Sequence, residues 1–172
     1  MKKSKQQHFL SLYQPVHDRF ERFCRARAYY DMPYEDLMNE SLLVAYHKFD
    51  TLKDEAAFLS FLIGISTRLL ANAHRKQRTD TVIDEQVLNN HPDFNNRIEQ
   101  QFEVELLHQA LAQLPDKQRE ALILFELTGF SIKEIMELQN SSLSAVKQRL
   151  ARGRVALASI VKNIQTIHFS KK

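Results

Sequence analysis

Apolar residues along this chain recur at three- and four-residue steps, and no stretch shows sustained two-residue alternation. That period predicts helices throughout. The first is expected over about 6–30, the second from Tyr34 to Phe49 and the third from Glu55 to Arg78. In the second, Leu37, Ser41, Leu42, Ala45 and Phe49 fall along one side, and Asp36, Asn39 and Glu40 line another. The next clean stripe is Ile98, Phe102, Leu106, Ala110 and Leu114. Pro115 then stands where a new helix can begin, and "DKQREALILFEL" carries it to Gly129.

The last part reads most sharply. Ser131 with Glu134 three residues on has the form of a capping box, opening a short helix that ends near Leu138. Asn140 suits a left-handed turn residue, and Ser141 and Ser142 suit the cap of the following helix. A short helix, a tight turn and a longer helix make a helix-turn-helix. In the long helix, Leu143, Val146, Leu150, Gly153, Leu157, Ile160 and Ile164 share a packing side. Ser144, Gln148, Ala151 and Arg152 point away from it, flanked by Lys147, Arg149 and Arg154.

Three glycines and four prolines in 172 residues agree with an all-α chain. Charge supplies the division into modules. Residues 68–78 carry Arg68, Arg75, Lys76 and Arg78 and no acid, whereas 80–105 carry seven acids against Arg97. From Ser141 onward there are seven Lys or Arg and no Asp or Glu. The net charge of +3 is thus a cancellation of basic, acidic and basic segments. "TDTVIDEQVLNNHPDFNN" has no helical period and reads as a linker. The expected architecture is two small helical domains, 1–79 and 97–168, joined by an acidic linker over 80–96.

Chemistry narrows the function. The single cysteine, Cys24, excludes an internal disulfide framework and suits a reducing cytoplasm. "MKKSKQQHFLSLYQ" has no apolar core for a signal peptide, and "FLSFLIGIS" meets Arg68 early, so no membrane insertion is expected. No glycine-rich phosphate loop occurs, and the seven histidines show no ligand spacing, so neither cofactor, metal nor catalysis is expected. A helix face of serine, glutamine and cations with no acid suits a major groove: Gln or Arg reads base edges while Lys or Arg meets phosphates.

These residues resemble a known family. "LPDKQREALILFELTGFSIKEIMELQNSSLSAVKQRLARGRVAL" (114–157) resembles the promoter-binding domain of sigma-70-type RNA polymerase sigma factors. "YEDLMNESLLVAYHKFD" (34–50) and "FLSFLIGISTRLLANAHRKQR" (58–78) are similar to their N-terminal conserved domain. Two modules with nothing between them look like the extracytoplasmic-function (ECF) type.

The resemblance implies that Asp36, Leu37, Asn39 and Glu40 dock on the polymerase clamp helices. It places Phe49, Lys53, Arg68, Asn72, Arg75 and Lys76 at the −10 element, where aromatics and cations suit unstacked single strands. It places Ser144, Lys147, Gln148, Arg149 and Arg152 at the −35 element. Core polymerase (clamp helices and flap), promoter DNA and an anti-sigma factor are the implied partners. Gln139, Asn140 and Ser141 stand where the family usually has Leu-Gly-Ile, which removes an apolar anchor from the turn. The alternative is a helix-turn-helix regulator that acts without polymerase.

Overall fold

A computed structural model of the protein describes residues 4–79 and 98–169. The described residues are helical and turn segments only, with no strand among them. The acidic linker over 80–96 lies outside the described residues.

The expected first helix is two. Helix α1 (Lys5–Tyr13) starts at Ser4, whose hydroxyl accepts from the Gln7 backbone while the Gln7 side chain accepts from Ser4 N–H. Pro15 has no N–H to continue the ladder, so the chain tightens into a 3₁₀ turn at Gln14–Val16 before α2 (His17–Arg27). Helix α3 (Tyr34–His47) stops before Phe49, which falls in a second 3₁₀ turn. A third such turn, Glu55–Ala57, leads into α4 (Phe58–Thr79).

Helices α3 and α4 pack closely because small residues meet between them. The Ser41 and Ser66 hydroxyls are 2.8 Å apart and buried, and Ser66 also donates to the Leu62 carbonyl. Around them lie Phe20, Phe23, Leu37, Phe58, Leu62 and Ile63, all fully buried. Each contributes about 1.5–3 kcal/mol through area removed from water. At one end Phe9 meets Phe49 and Phe58 edge-to-face, each at 5.3 Å between centroids. Residues 55–77 carry charges only at Glu55, Arg68, Arg75 and Lys76, so by length and composition a window within them reaches the membrane-spanning range although Arg68 interrupts it. In the fold, however, Leu59, Leu62, Ile63 and Leu70 of this helix are core residues.

The second half begins with α5 (Ile98–Ala112) and α6 (Asp116–Leu122), the latter opened by Pro115. The helix expected to continue to Gly129 instead widens into a π turn at Ile123–Leu127. Thr128 N–H and hydroxyl both donate to the Ile123 carbonyl, at 3.0 and 2.9 Å. Gly129, at φ +76°, takes the left-handed conformation that lets the chain leave.

Helix α7 (Ile132–Leu138) has the expected capping box, with Ser131 and Glu134 bonded reciprocally. Asn140 has φ +46°, and the Ser142 hydroxyl accepts from Ala145 N–H at the start of α8 (Leu143–Phe169). Helix α8 crosses α6 at Gly153, where a Cβ would lie 2.9 Å from Leu122 Cδ1. Val146 and Leu150 are buried as their spacing predicts, whereas Leu143 and Phe102, on the same kind of stripe, are exposed.

The two halves pack on one another. Helix α2 lies against α5 and the π turn, and α4 touches α7, so buried residues of both halves form one continuous core.

Candidate nucleic-acid interface

The outer face of α8 carries four of the five residues expected to face duplex DNA in the open. Ser144, Lys147, Gln148 and Arg152 are exposed near the capped N-terminus, and no acid occurs on the helix. The positive end of the helix dipole adds to their charge. An exposed amide between cations can reach base edges while its neighbours meet phosphates.

Arg149 is different. It is half-buried, and its Nη1 donates to Gln139 Oε1 at 2.8 Å and to Ser141 Oγ at 2.7 Å. It ties the recognition helix to the turn, which is a positioning role. Arg154 is likewise engaged, 2.7 Å from the Glu126 carboxylate and stacked over Phe125.

Gln139 supplies the anchor that the sequence reading supposed lost. It is 7% exposed, and its amide nitrogen donates to Glu120 Oε2 at 2.8 Å and to the Lys117 carbonyl at 3.1 Å. A buried amide with three partners replaces apolar contact by hydrogen bonds. Composition alone could not show this, because the partners come from α6 and α8.

On α4 the exposed residues Arg68, Asn72, Arg75 and Lys76 recur at four-, three- and one-residue steps and so share a face. Arg75 bonds the Asn72 side chain. Lys53 is exposed on the segment before α4. Phe49 is not on this surface. It is 7% exposed and packs against His8, Phe9 and Phe58, so its ring faces the core at the base of the loop. The loop itself is held by Lys5 on Asp50 at 2.6 Å and His8 on Glu55 at 2.8 Å.

A third surface lies on α3. Asp36, Asn39 and Glu40 are exposed together, and Leu37, also expected there, is fully buried in the core. The apolar stripe read from the helical period had already placed Leu37 and Phe49 inward, and burial agrees with the stripe. Sequence reasoning missed Leu43, which is 59% exposed seven residues after Asp36 and therefore on the same face. The signal was available: an apolar residue on the polar side.

An open apolar groove of about 490 Å³ runs between α5, the π turn and the later half of α8. Leu107, Leu111, Leu127, Leu157 and Val161 line it, with Lys162 and the Arg154–Glu126 pair at its rim. Among the described residues, His17, Asp18 and Glu21 bring possible ligand atoms within 4.8 Å of one another. Glu21 is already committed to Arg25 at 2.6 Å.

A family model described as sigma-70, region 4 matches residues 104–157. Over 95% of this chain and 94% of its own length, the ECF RNA polymerase sigma factor SigW of Bacillus subtilis is 26% identical. The ECF RNA polymerase sigma factor EcfG of Rhodopseudomonas palustris is 28% identical over 74% of this chain and 70% of its own. Among solved structures, the sigma factor RpoE in complex with the anti-sigma factor NepR from Bartonella quintana has a TM-score of 0.68 at 22% identity. It covers 88% of this chain and 97% of that one. CnrH in complex with the cytosolic domain of CnrY has a TM-score of 0.67 at 19% identity, covering 92% of this chain and 90% of that one. These two likenesses concern the fold.

Proposed function

We propose that this chain, which belongs to the sigma-70 family of RNA polymerase sigma factors and is of the ECF type, directs core polymerase to its promoters through four separate surfaces. The observation that carries this reading is the exposed, acid-free face of α8 behind a capped helix-turn-helix. In the same chain α4 carries a second cationic face suited to a parted strand.

In this reading the α8 face, through Ser144, Lys147, Gln148 and Arg152, grips the −35 duplex, and Arg149 holds the helix at its angle. Arg68, Asn72, Arg75, Lys76 and Lys53 meet the melted −10 strand. Asp36, Asn39, Glu40 and Leu43 meet the clamp helices, where acids around an exposed leucine suit a basic partner with an apolar contact point. The groove between α5 and α8 receives the flap, and its leucine lining makes that contact apolar. The units are residues 1–79 and 97–168 with the linker between them. The protein works in the cytoplasm, carries out no chemistry of its own, and is open to an anti-sigma factor.

Reconstitution with bacterial core polymerase and run-off transcription from genomic fragments tests this. Discrete transcripts that need the protein are expected. Duplex binding without any association with core polymerase would leave a regulator that acts alone.

A further inference from the structure

The loop between α3 and α4 carries the wrong charge for a surface that meets DNA. Residues 50–57, "DTLKDEAA", hold Asp50, Asp54 and Glu55 against a single cation, Lys53. Bare carboxylates there would repel phosphates over a screening length of about 8–10 Å. In the fold, each of the three acids is taken up.

Helix α1 takes two of them. Lys5 Nζ lies 2.6 Å from Asp50 Oδ2, and His8 Nε2 lies 2.8 Å from Glu55 Oε1. A carboxylate only accepts, so the His8 ring nitrogen is the donor. Lys5 and His8 are three residues apart on one side of α1, so a single helical turn reaches both ends of the loop. The Ser4–Gln7 capping box sets where α1 begins. Lys5 also rests over the Tyr46 ring at 5.4 Å, and His8 meets Phe49 edge-on at 5.2 Å. Phe9, buried against Phe49 and Phe58, anchors the helix beneath them. The third acid, Asp54, turns back on its own backbone. It accepts from Ala56 N–H at 2.9 Å and caps the turn that leads into α4. Lys53 is left exposed, and no acid pairs with it among the described residues.

These pairs lie too far out in solvent to hold the fold. The Asp50 and Glu55 side chains are 78% and 62% exposed, and ion pairs in that setting contribute little to stability. What they change is the charge that the loop presents. Lys5 offsets Asp50, His8 covers a Glu55 oxygen with an N–H, and Lys53 remains as the uncovered charge. We propose, on the −10 reading of this surface given above, that Lys5 and His8 are positioning residues for promoter opening. They shield the acids of the loop, so that Lys53 and α4 receive the parted strand.

A shield and a mere staple make opposite demands on the acids. Holoenzyme formed from core polymerase and each full-length variant reports opening through permanganate oxidation of unpaired −10 thymines, on a promoter recovered by run-off. Lys5→Ala with His8→Ala bares both acids and should lower the ratio of open to closed promoter roughly tenfold. Asp50→Asn with Glu55→Gln removes the acids together with their ion pairs, so opening should equal or exceed that of the wild type. All four substitutions together should restore opening. A loss that persists in the fourfold variant, or opening reduced by Asp50→Asn with Glu55→Gln, would show a staple and overturn the shield. Opening unaltered by Lys5→Ala with His8→Ala would overturn it as well. If the wild-type holoenzyme opens no promoter, the proposed function fails instead. Binding of single-stranded oligothymidine by the same proteins alone at low salt, expected in the same order, then decides the shield.

Discussion

Arg149 and Gln139, ten residues apart across the helix-turn-helix, share a hydrogen bond of 2.8 Å that makes the angle of α8 depend on a buried amide. The amide in turn rests on Glu120 and the Lys117 carbonyl. Arg149→Ala should therefore lower stability by about 1–2 kcal/mol through two lost bonds, as well as weakening promoter binding. Lys147→Ala, on the open face, should leave the melting temperature unaltered. Thermal denaturation of the two variants separates these roles, and equal melting temperatures would contradict them.

The open face makes a second distinction. Lys147→Ala should reduce the slope of log binding constant against log salt by about one unit, as one lost phosphate contact requires. Gln148→Ala should relax discrimination at a single −35 base pair by about 1–3 kcal/mol. Titrations on specific and scrambled duplexes at several salt concentrations check both. Equal losses on the two duplexes would show that Gln148 reads no base.

Helix α3 offers a contrast between neighbours. Leu43→Asp should weaken association with core polymerase about tenfold or more while leaving the melting temperature unaltered, since the side chain is exposed. Leu37→Ala should instead destabilise the fold by about 2–5 kcal/mol, because it empties a fully buried site. Affinity and melting measurements on both variants test the assignment of faces.

Acid should loosen the structure through His108. It is half-buried on α5, its ring 5.7 Å from that of Tyr29, and burial lowers its pKa below the usual 6.5. The unfolded chain then takes up the proton more readily than the folded one. The stability this contributes is complete above the unfolded value of about 6.5 and is lost as pH falls through the window below it. Melting temperatures between about pH 7.5 and pH 5.5 should fall for the wild type and fall less for His108→Asn. An identical decline in both would remove His108 as the cause.

Much of this protein was legible in its residues because helices are local. Ser131 with Glu134, Asn140 and Ser142 act within a few positions of themselves, so caps and turn follow from spacing. The inward side of α3 and the outward side of α8 likewise follow from a period of 3.6 residues. Only the tertiary structure decided what covers each face. Leu143 and Phe102 continue apolar stripes yet remain exposed, which the helical period does not reveal. Gln139 breaks an apolar pattern yet is buried, since α6 brings Glu120 to its amide. The ion pair between Arg27 and Asp116 joins positions 89 residues apart, and no local pattern encodes such a meeting. Periodicity gives each helix a direction to face, and long-range packing determines what it finds there.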